Sequence, residues 1–170
     1  MNAAPEPEFR EVIDDDQLRQ LSQLAHRIWN MYYPDIIGQK QVDYMLGKMY
    51  SLEALKEQIR NGHRFVAGYS DGEMLGFLSY GKTSGQYYMI HKWYVDVSLH
   101  SKGIGRKLFD AAFGNIDYDT IRLTVNRQNI KAVNFYFKFG FTIERVADFD
   151  IGDGFFMNDF VMILQKAGRK

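Results

Sequence analysis

Apolar and polar positions follow two rhythms along the chain, and the rhythm changes near Gly62. Before that point apolar residues recur at three- and four-residue steps, the spacing of a helix face. Residues 9–13 read as a short strand. Asp14, Asp15 and Asp16 then offer an N-cap and first-turn acids for a helix carrying Leu18, Leu21, Leu24, Ala25 and Ile28. Two weaker helical patterns follow Pro34, one through Val42, Leu46 and Met49, the other through Leu52, Leu55 and Ile59, which Asn61-Gly62 ends. From there the period is two. Residues 64–69 and 74–80 predict strands joined through Ser70-Asp71-Gly72-Glu73, a hairpin signal. Residues 87–97 form a third run, rich in aromatics. A turn with two glycines, a helix over 104–113 and a strand over 121–125 come next. A helix over 130–139 closes at Gly140, and strands over 141–146 and 160–164 end the pattern. Hairpins first and strand–helix–strand later predict an α+β domain over 9–166. Its sheet is mixed and mostly antiparallel with one parallel crossover, and residues 1–8 and 167–170 read as loose tails.

Composition narrows the class. At 170 residues, 46% hydrophobic, the chain has the size and apolar content of one domain with its own core. It has no cysteine, which excludes disulfides, a thiolate nucleophile and cysteine metal sites and suits a reducing cytoplasm. The start, Met1-Asn2-Ala3-Ala4-Pro5, lacks the basic and apolar regions of a signal peptide, and the longest apolar run, residues 160–164, is too short to span a bilayer. A soluble, cytoplasmic protein is expected, with no membrane partner.

The zero net charge hides an asymmetry: residues 1–80 hold 8 basic against 12 acidic side chains, residues 81–145 hold 10 against 5, and residues 146–170 hold 3 against 4. A basic middle suits a centrally bound anion, although scattered solvated charges give the same count. No dense basic run points to nucleic acid. The histidines at 26, 63, 91 and 100 lack metal-ligand spacing, so no metal is expected.

Two motifs fail on context. Gly68-Tyr69-Ser70-Asp71-Gly72 matches a nucleophile elbow, but a strand follows where that motif needs a helix. Gly103-Ile104-Gly105-Arg106-Lys107-Leu108 opens like a dinucleotide fingerprint, with Leu108 in place of the third glycine.

The segment from Trp93 to Leu108 is the informative one. A strand enters a turn with Gly103 and Gly105, and a helix leaves it with Ile104, Leu108, Ala111 and Ala112 facing inward. Glycines bring the backbone close to a ligand, and amides at a helix N-terminus hold a pyrophosphate. Lys102, Arg106 and Lys107 surround the turn with positive charge. An ordinary tight turn with solvated bases fits this segment equally well on its own.

His100-Ser101-Lys102-Gly103-Ile104-Gly105 resembles the acetyl-CoA motif of the GNAT acetyltransferase superfamily, Q/R-x-x-G-x-G/A, with His100 departing from Gln or Arg. Downstream, Asn129, Ala132, Phe135, Tyr136, Gly140 and Phe141 are similar to the family's N-x-x-A-x-x-F-Y-x-x-x-G-F helix. Both motifs occur in the family's order, and together they cover residues 87–141. The resemblance implies a single GNAT-like domain with helices on both faces of the sheet and a splayed parallel strand pair that admits pantetheine. It implies acetyl-CoA as cosubstrate and a primary amine as acceptor, and it leaves room for a homodimer. Backbone amides at Tyr94, Val95, Asp96 and Val97 would bind pantetheine and polarise the acyl carbonyl, worth about 3–4 kcal/mol in a transition state. Residues His100, Ser101, Lys102, Gly103, Ile104, Gly105, Arg106 and Lys107 would hold the pyrophosphate.

By the same resemblance Tyr136 is the general acid for the leaving thiolate; by pattern alone it is a core aromatic beside Phe135, Phe137 and Phe139. Asn129 is an N-cap and, in the family, a contact of the CoA arm. Deprotonating an amine with a lysine-like pKa near neutrality costs roughly 4–5 kcal/mol. His91 lies where several family members carry a glutamate base, and it is either that base or a structural histidine. The ending from Phe149 to Gly152 and from Asp159 to Met162 is similar to bacterial polyamine acetyltransferases. Peptide N-termini and protein lysines remain alternatives, as does a non-catalytic acyl-CoA-binding module. Acidic groups at Asp14, Asp15 and Asp16 and in a loop with Asp148, Asp150 and Asp153 would attract a polycation.

Overall fold

The computed structural model describes residues 6–99 and 102–166. The tails expected at the termini therefore lie, apart from residues 6–8, outside the described residues, as do His100 and Ser101. Among the described residues seven strands and six α-helices follow in the order β1 Glu8–Glu11, α1 Asp15–Tyr32, α2 Pro34–Ile37, α3 Gln39–Tyr50, α4 Leu52–Arg60, β2 Arg64–Ser70, β3 Glu73–Ser84, β4 Tyr87–Val95, α5 Ile104–Phe113, β5 Thr120–Asn126, α6 Ile130–Phe139, β6 Thr142–Gly152 and β7 Phe155–Gln165. The sheet order is β1-β2-β3-β4-β5-β7-β6, an α+β arrangement in which β4 and β5 are parallel, from Tyr87↔Thr120 to Ile90↔Leu123. Among the described residues, no helix is long and apolar enough to cross a membrane.

Contacts group the chain into two compact units, Met1–Tyr80 with Lys92–Ile116 and Gly81–His91 with Asp117–Lys170. In the first unit the Asp14 carboxylate accepts from the Gln17 amide at 2.8 Å while Gln17 Oε1 accepts from the Asp14 amide at 3.2 Å, a capping box that starts α1. One face of α1 buries Leu18, Leu21, Leu24, Ala25, Ile28 and Trp29. Ser51 Oγ caps α4 through the Ala54 amide. The β2–β3 turn has Asp71 and Gly72 both at positive φ, 50° and 80°, the backbone of a two-residue hairpin, so Ser70 sits at a strand end and not on an elbow. Helix α2, four residues that begin at Pro34, has no counterpart in the periodicity because one turn is too short to show a period.

In the second unit β5 pairs with β7 and β7 with β6, both antiparallel. The acidic loop expected around Asp148 does not exist. Asp148 and Asp150 are on β6, and Asp153 and Gly154, with φ 52° and 76°, make a second two-residue turn. Both strands therefore run for 11 residues. The half-buried positions 147, 149 and 151 alternate with exposed acids, a period of two that the charge concealed.

Asp159 on β7 is only 2% exposed. Burial pushes its carboxyl up to about 6, against the opposing pull of a Thr124 hydrogen bond and the nearby Arg127 charge. The folded state thus keeps this proton over a pH range in which the unfolded chain has released it. The group's effect on stability becomes unfavourable as pH rises from about 4 to 6 and stays so above that range. Asp159→Asn is expected to be more stable than wild type at pH 7, by on the order of 2–3 kcal/mol, and to lose that advantage by pH 4. Paired urea titrations at the two pH values measure the difference, and a gap independent of pH would contradict the assignment.

Candidate active site

The first unit holds the two segments singled out for cofactor binding. Gly103 sits at φ 76°, ψ 3°, the left-handed conformation that disfavours side chains, and is the N-cap of α5. The first helical bond of α5 runs from Lys107 N to Gly103 O at 3.1 Å. The amides of Ile104, Gly105 and Arg106 therefore belong to those a helix leaves outside its own ladder. Lys102, Arg106 and Lys107 are exposed around this turn, and Arg106 lies 3.8 Å from Asp110. Helix α5 buries Ile104, Leu108, Phe109, Ala112 and Phe113, so Ala111 faces out, a correction of the expected stripe. The two phenylalanines fill that side, where Phe109 stacks on Trp93 at 5.5 Å.

Trp93 Nε1 donates to the Gly105 carbonyl at 3.2 Å, tying β4 to the start of α5. Just beyond β4 the Asp96 amide donates to Leu75 O at 2.8 Å, so this amide is engaged by β3. Amides alternate between the two edges of a strand. Tyr94 N–H accordingly shares the β3 edge with Asp96, and Val95 N–H lies toward the other edge, while Val97 opens a short 3-10 turn, Val97–Leu99. The Asp96 carboxylate accepts from Ser98 N and Oγ and lies 4.0 Å from Arg27. Gly76 explains how β3 comes so near: a Cβ there would lie 2.7 Å from the Tyr94 carbonyl oxygen and 3.1 Å from Val95 Cα. A glycine inside a strand pattern is the signal that could have marked this approach.

One buried residue of this unit, Lys92, has no counterpart among the candidates in the sequence. Lys92, next to His91, is 3% exposed, and burial pushes its amine down to about 8. Its Nζ donates to Gln58 Oε1 at 2.5 Å. The adjoining His91 is exposed on β4 and belongs to the second unit.

The other candidates of the second unit lie on α6. Asn129 Oδ1 accepts from the Ala132 amide at 3.2 Å, which gives it the N-cap role. Tyr136 is 8% exposed, with its ring 5.5 Å from Phe135 and 5.9 Å from Phe141. Gly140, at φ 114°, ends the helix. Among the described residues no group of histidine and acidic side chains could hold a metal.

A family model described as an acetyltransferase (GNAT) domain matches residues 33–150. The chain belongs to the GNAT acetyltransferase family. Among curated proteins it is similar to the spermine/spermidine N(1)-acetyltransferase of Bacillus subtilis, 25% identical over 126 residues, 67% of this chain and 81% of that one. Among solved structures it is similar to the PaiA N-acetyltransferase of Thermoplasma acidophilum in complex with coenzyme A. That match has a TM-score of 0.75 at 23% identity and covers 95% of this chain and 100% of the other. A GCN5-related N-acetyltransferase from Rhodopseudomonas palustris gives 0.75 at 15% identity, over 98% and 99% of the two chains. As a GNAT member the chain is an acetyl-CoA-dependent N-acetyltransferase, and the glycine turn at Gly103 fits the phosphate arm of that cosubstrate.

The contact at Gly76 yields a test within this acetyltransferase. Gly76→Ala drives a methyl into backbone atoms that cannot rotate away, and should destabilise by about 1–3 kcal/mol. Gly47 lies within α3 with nothing within 4 Å of its virtual Cβ. Gly47→Ala should therefore stabilise by roughly 0.5–1 kcal/mol. Thermal melts of both variants should move in opposite directions.

Proposed function

We propose that this acetyltransferase moves the acetyl group of acetyl-CoA directly onto a primary amine of the polyamine class. The observation carrying the reaction is the Gly103 turn opening α5, fixed to β4 through Trp93 and Gly105. In this reading the amides of Ile104, Gly105 and Arg106 hold the pyrophosphate, with His100, Ser101, Lys102 and Lys107 flanking it. Val95 and Val97 hold pantetheine and polarise the acyl carbonyl, and Asn129 contacts the CoA arm. His91 takes the proton of the incoming ammonium. The neutral amine attacks the thioester carbon, the carbon–sulfur bond breaks, and Tyr136 gives its phenolic proton to the departing thiolate.

The polyamine class is supported by the names of the Bacillus relatives. Charge supports it less than the sequence promised. Asp14 caps α1, Asp15 pairs with Lys56 at 2.6 Å, and Asp148 pairs with Arg127 at 2.6 Å. The absence of cysteine fits a cytoplasmic enzyme. A homodimer would have β6 available, the last strand in the sheet order, with Ile143 and Val146 exposed.

Acetyl-CoA should raise the melting temperature of wild type and release free thiol when an amine is added. Gly103→Val is expected to abolish the thermal shift. Tyr136→Phe should keep the shift but lower kcat roughly 100-fold. A wild-type kcat in that variant would return Tyr136 to a packing role. Spermidine is expected to give a higher kcat/KM than a monoamine of similar length; equal values would discard the polyamine class and leave the acyltransfer intact.

A further inference from the structure

Lys92 is a buried cation whose role the reaction leaves unassigned. Its Nζ lies 5.3 Å from the Tyr50 ring centre and 5.7 Å from that of Phe65, and its hydrogen bond goes to an amide oxygen, Gln58 Oε1, at 2.5 Å. Among the described residues no carboxylate pairs with it. Ring faces and one amide oxygen offset only part of the cost of taking an ammonium out of water. An apolar side chain of similar length would fill the space without that cost.

The ammonium gains direction in return. Gln58 is itself fixed, because its Nε2 donates to Met49 O at 2.9 Å. Met49 O, Gln58 and Lys92 thus form a continuous chain from the α3–α4 corner to β4. Tyr50, at the same corner, is buried beside Tyr94 and Trp29. Two residues beyond Lys92, β4 meets Gly76 at Tyr94 and then reaches Val95.

We propose that the Lys92 ammonium is a positioning residue for acetyl-CoA binding: through Gln58 it pins the part of β4 bearing Val95 to the α3–α4 corner. This rests on the reading that the backbone of Val95 and Val97 holds pantetheine. Other titratable groups facing Lys92 do not interfere. Burial keeps the Tyr50 phenol protonated, and burial together with the Lys92 charge holds His63 below its usual range, hence neutral at pH 7 and above. Loss of the Lys92 proton, centred near pH 8, turns a charge-assisted bond into a weaker neutral one.

The test is the Kd of acetyl-CoA, whose sulfur carries no titrating proton, for the full chain from pH 7 to 9.5. Circular dichroism verifies the fold at each pH. Wild type is expected to bind about tenfold more weakly at the top of the range, with a midpoint near 8. Gln58→Glu faces the ammonium with a carboxylate and should move that midpoint up by about one unit or more. Lys92→Met should bind about tenfold more weakly at pH 7, show no pH dependence, and melt no lower than wild type. A merely structural lysine would not separate binding from stability in this way. A flat wild-type curve, or an unmoved midpoint in Gln58→Glu, would overturn the proposal, and both are readable if Lys92→Met fails to fold. No acetyl-CoA binding by wild type at pH 7 would instead remove the cofactor-site reading beneath it.

Discussion

Strand β3 reaches the backbone of β4 because position 76 has no side chain, and the geometry of the first unit's site hangs on that contact. With Tyr94 O and Val95 Cα at the distance a methyl would occupy, the Leu75 carbonyl can take the Asp96 amide at 2.8 Å. This bond sets the phase at the end of β4: the amides of Tyr94 and Asp96 face β3, and that of Val95 faces the opposite edge. Trp93, immediately before this segment, reaches the Gly105 carbonyl and so places the start of α5. The Val95 stretch and the Gly103 turn are thereby tied to each other, positioned by the smallest residue in the chain.

The sequence revealed elements whose ends carry local chemistry. Helices α5 and α6 have the bounds their patterns imply, because Gly103, Asn129 and Gly140 each mark an end with backbone or capping requirements visible in the residue itself. Elements whose extent depends on tertiary pairing were less legible. Strands β6 and β7 extend through Asp148 and Asp150 to a turn at Asp153 and Gly154, where acidity alone reads as loop. The phase of α5 slipped for a related reason: alanines at 111 and 112 look equally apolar, and only neighbours such as Trp93 decide that Phe109 turns inward. Gly76 and Lys92 were harder still. What a glycine must approach, and which face of β4 a lysine takes, are set by strands and helices distant in sequence.

Lys92 and Asp159 show two treatments of a buried charge. Both are pushed toward their neutral forms by burial. Asp159 is opposed by a hydroxyl and a guanidinium, and it lies opposite Asn126, whose side chain and carbonyl bind the Gln128 and Asn129 amides ahead of α6. Lys92 has an amide oxygen and ring faces. Neither arrangement maximises stability; Lys92 sits on the strand that runs on to Val95, and Asp159 sits opposite the strand end that precedes α6. Such concessions are expected where a backbone must be held in one place rather than merely packed.

A binding site made largely of backbone amides tolerates wide change in side chains. Relatives sharing only 15% and 23% of their residues with this chain keep the fold at a TM-score of 0.75. Acceptor choice has no comparable backbone code and must be written in side chains. The acids that would attract a polycation are largely engaged: Asp14 in a cap, Asp15 with Lys56, Asp16 with Arg19 and Asp148 with Arg127. Exposed pairs of this kind are weak and screened by salt, but each cancels the long-range field of its carboxylate. In the proposed reading a polyamine is therefore recognised by short-range contacts with the bound amine, made after encounter, and not by electrostatic capture at a distance.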